Sequence, residues 1–502
     1  MNTNPFSNSG SPSRCQAESG RLKSLTLPGA NSQQPAGSLG MLAVITFVML
    51  ACLRAQAADA SWWNSSWRFR VPIQVNANGV ERLDKPAEVV LNLTALLQER
   101  QVTDRVNQQT FRVVEVDAQG SVVNEAVSFQ FDPAADYQAD TNAAGTLVLL
   151  LPGATATTAT RRFLLYFDSG DGLPPAAVTN QVSITNVSWQ DQSSFQITTP
   201  GAIYYYHIYG AGFASMLDQD GKDWISYRPS GGSAGSYRGI PNLVHPEGFF
   251  HHGNTNCTSL VVSVGPLKVK VYSESNDKKW ACAWEFYPSY AKMTVLKTNA
   301  PYWFLYEGTP GGALDDADFV VRSPAPGTRT TIWQSWVANL PAPEWICFGD
   351  TNKSRMLYLV HHEDTLAFDS YWQMENNMTV FGFGRRDLLK YLKQIPAHFT
   401  IGFARTNDLA NITRIIDAAY RDLAIAVGPL ETLPPPRLDV TPAGNQISLS
   451  WPTTAEGFTL ETSGNLSAPS WTPVTNLLGV VGDRYTVTFG VTDAAKFYRL
   501  RK

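Results

Sequence analysis

Residues 236–253, SYRGIPNLVHPEGFFHHG, concentrate the side chains of this chain that are suited to proton transfer. The segment holds one arginine, one glutamate and three of the seven histidines in 502 residues. The other four histidines, His207, His361, His362 and His398, lie between positions 207 and 398. Histidine titrates near neutral pH and therefore suits acid–base catalysis and metal ligation. The clustering, among glycine and proline turns, predicts a functional site in this segment.

β-Elimination on a uronic-acid polymer is one reaction that the segment could carry out. It requires a group that neutralises the carboxylate, a base for the C5 proton and an acid for the leaving oxygen. Arg238 is the candidate neutralising group, because guanidinium pairs with carboxylate through two hydrogen bonds. The candidate bases are His245, His251 and His252. The acid is expected to be Tyr237 or Tyr206.

Hydrolysis by two carboxyl groups is an alternative, with separations of about 5–5.5 Å or about 6.5–9.5 Å. Glu247, Glu285 and Glu307 lie among aromatic residues, where burial would raise a carboxyl pKa and produce an acid. Glu285 is therefore added to the candidate catalytic residues Arg238, His245, His251 and Tyr237.

A metal site built from histidines is a third alternative. The candidate ligands are His207, His251, His252 and either His361 or His362. Neighbouring residues of a strand point to opposite faces, so each adjacent pair would supply at most one ligand if it is extended. No motif with zinc-ligand spacing is present. We predict no cofactor, and the histidines leave a metal ion open.

Aromatic side chains in the same region suit sugar binding, because a sugar ring offers apolar faces and a rim of hydroxyl groups. The candidate stacking platforms are Tyr204, Tyr205, Tyr206, Tyr237, Trp224, Trp303, Tyr371 and Trp372. The predicted substrate-binding residues are Tyr206, His207, Trp224, Asn242, His252, Trp303, Glu307, His361 and Tyr371.

Residues 183–428 form the domain that must position these side chains. This region holds nine of the fourteen tryptophans and many short strand-like runs, which predict a large antiparallel sandwich. Residues 210–225, 237–242, 284–287 and 302–308 resemble the large β-sandwich of galactose-mutarotase-like epimerases and polysaccharide lyases. The resemblance implies a sugar-facing sheet. One helix is predicted over 409–427, capped by Asp408 and ended by Gly428.

Two smaller β domains are predicted on either side of the central one. Alternating strands predict an N-terminal β-sandwich over residues 58–180, and its opening SWWNSSWRFRVPIQV resembles exported bacterial β-sandwich domains. Three prolines mark a linker over 429–436. Residues 437–502 resemble the small immunoglobulin-like modules that end many secreted bacterial proteins, which implies a spacer or attachment role.

The first 57 residues predict export. An apolar run over 41–52 is followed by Ala55-Gln56-Ala57, which matches a signal peptide and is too short for a membrane span. Cys52 leaves a lipid anchor open. Export to the periplasm, the cell surface or the medium permits a disulfide, for which we predict Cys257–Cys282. The net charge of −4 and the lack of a basic stripe argue against nucleic acid as a partner.

The sequence therefore predicts a mostly β, exported, carbohydrate-active protein. The leading hypothesis is elimination on an extracellular uronic-acid polysaccharide. The alternatives are a non-catalytic glycan-binding or cell-surface protein and a glycoside hydrolase that uses paired carboxyl groups. The sequence leaves the polysaccharide and the oligomeric state open.

Overall fold

The computed structural model describes residues 62–501 apart from 326, 456, 468 and 491–494. The predicted signal peptide and Cys52 lie outside the described residues. The described chain is mostly β and its sheets are antiparallel, which confirms the predicted fold class. Every helix in this part of the chain is too short or too polar to cross a membrane.

The first domain consists of two facing sheets. Its elements are β1 Phe69–Asn76, β2 Arg82–Asn92, α1 Leu93–Glu99, β3 Asn107–Val116, β4 Val122–Asn124, β5 Phe129–Pro133, β6 Ala144–Thr155 and β7 Thr160–Asp168. One sheet contains β1, β7, β3 and β4, and the other has the order β2, β6, β5. Val71, Ile73 and Val75 alternate along β1 and are buried, so this strand directs one face into the core.

The central region contains most of the strands and two of the described α-helices. Its elements are β8 Ser183–Trp189, β9 Gln192–Thr198, β10 Ile203–His207, β11 Gly212–Leu217, α2 Gly232–Ser236, β12 Cys257–Val264, β13 Val269–Ser275, β14 Ala281–Phe286, β15 Tyr290–Lys297, β16 Phe304–Gly308, a 3-10 helix Pro310–Gly312, β17 Asp318–Arg322, β18 Thr328–Thr331, β19 Trp336–Ala338, β20 Glu344–Asp350, β21 Met356–His361, β22 Asp369–Met374, β23 Met378–Phe383, β24 Arg385–Arg386, β25 Leu389–Lys390, β26 Ala397–Ala404 and α3 Leu409–Tyr420.

The central region contains a nine-stranded sheet with the strand order β12-β13-β14-β15-β26-β21-β20-β17-β18. Two four-stranded sheets, β11-β10-β9-β8 and β16-β23-β22-β19, pack with it around one large aromatic core. All six residues of β21 are buried, because α3 covers the outer face of the sheet at this strand. The second four-stranded sheet carries the site described below.

The predicted helix over 409–427 is correct at its start and wrong at its end. Asp408 caps α3 by accepting a hydrogen bond from the amide of Ala410, and Ile412 and Ile416 are buried against the sheet. The helix ends at Tyr420. Two strands follow, β27 Ala424–Val427 and β28 Glu431–Thr432, and both pair with β1. The unpaired edge of β1 thus recruits the apolar run that the sequence assigned to the helix.

The C-terminal residues form two small sheets of four and three strands. They contain β29 Asp439–Ala443, β30 Gln446–Pro452, β31 Thr459–Ser463, β32 Thr472–Pro473, β33 Gly479–Val481, β34 Arg484–Gly490 and β35 Phe497–Arg501. The two sheets enclose a core that includes Leu449, Trp451 and Val487. The immunoglobulin-like character and the exact domain limits remain predictions.

The predicted disulfide Cys257–Cys282 is wrong. Both cysteines, and also Cys347, are unpaired and buried. Burial raises the pKa of each thiol, so all three remain protonated at neutral pH. These cysteines act as small apolar residues in the core.

Candidate functional site

A short backbone pairing brings the histidine-rich segment against β16. The amide of Gly239 donates to the carbonyl oxygen of Glu307 at 2.7 Å, and the amide of Glu307 donates back at 3.0 Å. Glycine is required at 239, because a Cβ atom there would lie 1.9 Å from His252 Nδ1. The pairing places residues 236–253 beside the sheet β16-β23-β22-β19.

Three adjoining cavities form a groove along this junction. The histidine end has a volume of about 360 Å³, the middle about 110 Å³ and the aromatic end about 500 Å³. Tyr237, Asn242 and His245 line both the histidine end and the middle. Trp372 and Arg385 line both the middle and the aromatic end. The shared lining residues therefore join the three cavities into one groove.

Glu307 provides a buried carboxyl group in the middle of the groove. Its side chain is 5% exposed, and its Oε2 accepts a hydrogen bond from Asn242 Nδ2 at 3.2 Å. Burial raises the pKa of Glu307 to about 8, although Asn242 and the charge of Arg385 oppose the shift. The carboxyl group is therefore largely protonated at neutral pH and can donate a hydrogen bond or a proton.

Arg385 is the cation of the groove, and the sequence analysis missed it. Its Nη1 donates to Ser370 Oγ at 3.0 Å, and its guanidinium carbon lies 5.8 Å from the centre of the Trp303 ring. Arg385 directly follows Gly382-Phe-Gly384, where a Cβ at 382 would lie 2.9 Å from the Arg385 side chain. The glycine makes room for the buried arginine, and this close approach becomes visible only in the folded structure.

His245 and Tyr237 lie side by side and line the middle of the groove. Their ring centres are 5.3 Å apart and their planes are nearly perpendicular. Burial, with a smaller contribution from Lys390, lowers the pKa of His245 below its usual range. The imidazole is therefore neutral near pH 7 and able to accept a proton.

His251 and His252 both line the histidine end, which differs from the expected alternation. They lie in a turn rather than a strand, and their ring centres are 4.3 Å apart. His251 Nε2 donates to the carbonyl oxygen of Tyr237 at 3.3 Å, and burial lowers its pKa to about 4. Within the part of the chain that the structure describes, neither ring nitrogen of His252 has a hydrogen-bond partner.

His207 lies behind this pair, in contact with the same turn. Its Nδ1 accepts a hydrogen bond from the amide of Gly253 at 3.1 Å, and its ring centre is 6.1 Å from that of His252. Burial lowers the pKa of His207 to about 4. Among the described residues, no group of three or more histidine, cysteine or acidic side chains is arranged to hold a metal ion.

Arg238, Glu285 and His361 do not reach the groove, contrary to their predicted roles. The Arg238 guanidinium donates to the carbonyl oxygens of Ser226 and Asn377 at 3.1 and 2.9 Å, so local backbone groups occupy it. Glu285 pairs with Lys270 at 3.2 Å and lines a separate cavity. His361 donates from Nδ1 to a buried carboxylate, that of Glu344, at 2.5 Å.

The predicted aromatic residues divide between the core and the groove. Tyr206 and Trp224 are fully buried and hydrogen bond with Ser273 at 2.7 Å and Asp218 at 3.0 Å. Both are core residues and lie outside the groove lining. The residues that do line it include Tyr237, Trp303, Tyr371 and Trp372, with Trp336 at the aromatic end. Trp372 is 37% exposed and presents the most accessible ring.

Comparison with known proteins yields structural likeness only. No family model and no curated protein matches this chain. The crystal structure of HI1317 is similar at a TM-score of 0.33 and 11% identity, over 45% of this chain and 97% of the other. YeaD of Salmonella typhimurium, described as a candidate mutarotase, is similar at a TM-score of 0.31 and 12% identity, over 45% of this chain and 96% of the other. A glycoside hydrolase of family 81 from Clostridium thermocellum is similar at a TM-score of 0.24 and 11% identity, over 64% of this chain and 36% of the other. The functional proposal therefore rests on the groove itself.

Proposed function

We propose that the protein is an exported enzyme that cleaves a uronic-acid polysaccharide by β-elimination. The observation that carries the proposal is the buried carboxyl group of Glu307, which lies with Asn242 and Arg385 in one groove. Such a group is suited to receive an anionic carboxylate, because it donates a hydrogen bond and adds no negative charge. Export rests on the apolar segment 41–52 and the small residues after it.

The first step is recognition of the uronate carboxylate in the middle of the groove. The protonated Glu307 and the amide of Asn242 donate hydrogen bonds to it, and Arg385 supplies the positive charge. These contacts withdraw electron density from the carboxylate. The adjacent C5–H bond becomes more acidic, and the negative charge that develops during proton removal is stabilised.

The second step is the proton transfer itself. Neutral His245 accepts the C5 proton, and the electron pair of the C5–H bond forms the C4=C5 double bond as the C4–O4 bond breaks. The Tyr237 hydroxyl gives its proton to the leaving O4. Return of the proton from the imidazolium of His245 to the phenolate of Tyr237 restores the resting groups.

The experiment is incubation of the purified protein with a panel of uronic-acid polysaccharides. We expect a rise in ultraviolet absorbance from the unsaturated product, together with new reducing ends. New reducing ends without absorbance would indicate hydrolysis, and affinity without either signal would indicate a glycan-binding protein. A Glu285→Gln variant is the matched control, because Glu285 lies outside the groove, and it should retain full turnover.

A Trp372→Ala variant should bind long oligosaccharides about tenfold more weakly, because it removes an exposed stacking ring worth roughly 1–1.5 kcal/mol. Short oligosaccharides that occupy only the middle of the groove should bind unchanged. Titration with oligosaccharides of increasing length measures this difference. The control is Trp189→Ala, since Trp189 stacks on Tyr205 at 3.7 Å away from the groove lining. Equal losses for short and long oligosaccharides would contradict the assignment of the aromatic end.

A further inference from the structure

A second cleft lies between the first domain and the outer face of the nine-stranded sheet. It consists of two cavities of about 410 and 490 Å³. Both are lined by Glu88, Val90 and Thr146, so they form one continuous depression. β2 and β6 form one wall, and β15 with the end of α3 forms the other. None of the residues of the proposed catalytic step lines this cleft.

The larger concentration of positive charge lies in the first of these cavities. Its lining includes three cations, Lys85, Lys292 and Arg421, and two carboxylates, Glu88 and Asp422. Glu88 is already paired with Lys268 at 2.5 Å, and Lys268 does not line this cavity. Lys268 also pairs with Asp132 at 2.9 Å, so it neutralises Glu88 only in part. The three cations of the lining still exceed its two carboxylates, which favours an anion.

Lys85 is the cation that is best placed to receive that anion. Its Nζ donates to the hydroxyl of Tyr290 at 3.0 Å and to the carbonyl oxygen of Ala419 at 2.5 Å. An ammonium group has three N–H donors, so one of them is left for a ligand. Among the described residues, no carboxylate forms an ion pair with Lys85, and the neighbouring Arg82 is bound to backbone carbonyl oxygens.

Two tyrosines provide an apolar wall beside this cation. Tyr287 and Tyr290 are stacked, with ring centres 4.8 Å apart and planes at 28°. Lys85 Nζ lies 4.4 Å from the centre of the Tyr290 ring. A cation beside aromatic rings suits a ligand that combines a carboxylate with a compact ring.

We propose that this cleft binds a carboxylate-bearing sugar, of the uronic-acid class, through Lys85 and Lys292. The choice of sugar class rests on the proposed function, whereas the anion site follows from the cleft alone. The cleft would hold a product or a chain end while the groove acts on the polymer. It is thus a binding site separate from the groove.

Ligand binding should be linked to proton uptake at Lys85. Burial, with the charges of Arg82 and Lys292, lowers the pKa of Lys85 to about 7. A bound carboxylate favours the ammonium form, so affinity should fall as the pH rises from 7 to 9. The groups that face Lys85 are Arg82, Glu88, Tyr287, Tyr290, Lys292, His362, Arg421 and Asp422. His362 stays neutral in this range, because burial lowers its pKa to about 3.

The test is calorimetric titration with glucuronate at pH 7.5 in two buffers of different ionisation enthalpy. The protein carries Arg385→Gln, so that binding in the groove is weakened. We expect binding with proton uptake, and weaker binding of glucose and of acetate. Equal affinity for either of these two probes would overturn the proposal.

Two further variants locate the site. Lys85→Met should abolish the proton uptake, and Lys292→Gln should weaken glucuronate binding roughly fivefold. If Lys85→Met fails to fold, the glucuronate affinity of Lys292→Gln alone tests the location of the site. Unchanged affinity in Lys292→Gln would overturn the site. Turnover of the otherwise native protein is measured separately, so a lack of elimination and a lack of anion binding are distinguishable.

Discussion

Replacing Glu307 by glutamine should raise the free energy of unfolding at pH 8 by on the order of 4 kcal/mol. Glu307 is 5% exposed and its folded pKa is about 8, against an ordinary glutamate value of 4.5. Between these two pH values the folded protein binds a proton that the unfolded chain releases. The contribution of Glu307 to stability therefore falls as pH rises from 4.5 to 8, and glutamine removes this loss.

Chemical denaturation at pH 5 and at pH 8 measures the effect. The gain from Glu307→Gln should be small at pH 5 and large at pH 8. Glu99 is exposed at the end of α1, so Glu99→Gln should change stability little at either pH. If the free energy of unfolding of Glu307→Gln depended on pH in the same way as that of the unmodified protein, the raised pKa of Glu307 would be contradicted.

The same substitution should also change the pH dependence of turnover, which replacement of a merely structural residue would leave unchanged. In the unmodified protein, elimination should decline above pH 8 as Glu307 ionises and repels the uronate carboxylate. Glutamine donates a hydrogen bond at every pH, so the variant should lose this alkaline decline. A destabilising carboxyl group retained in a groove is typical of a residue kept for function.

The sequence predicted those parts of the fold that local pattern determines. The strands at Phe69–Asn76 and Met356–His361 follow from alternating or continuous apolar runs. The run Ala424–Val427 is equally compatible with a helix end, and only the free edge of β1 makes it a strand. That edge is formed by residues some 350 positions earlier in the chain, so no local signal could reveal it.

The same limit applies to the candidate site. The segment around His245 stood out in the sequence because its composition is unusual, and the structure places it along the groove. The sequence analysis proposed Arg238 as the cation and did not consider Arg385, whereas backbone carbonyl oxygens occupy the Arg238 guanidinium. Arg385 joins the groove because β16 pairs with β23, with Glu307 opposite Val380. A contact between residues this far apart depends on sheet register, which the sequence pattern does not specify.

Replacing His245 by alanine should lower the elimination rate about a thousandfold, within the range that a general base contributes. His245 lines the middle of the groove beside Tyr237, and burial lowers its pKa below its usual range. The neutral form is the base, so on the acid side the rate in the unmodified protein should fall as the pH drops through this lowered pKa. Substrate affinity should change little, because the stacking rings and Glu307 remain in place.

Initial rates and binding isotherms on the same polysaccharide separate these two quantities. His398 is the matched control: it donates from Nδ1 to Glu363 at 2.6 Å outside the groove, so His398→Gln should retain turnover. If His245→Ala kept more than about a tenth of the elimination rate, His245 would be excluded as the general base. Loss of affinity together with rate would instead make it a binding residue. A large loss of rate at constant affinity requires that His245 act on the reacting atoms, since the rest of the groove still holds the substrate.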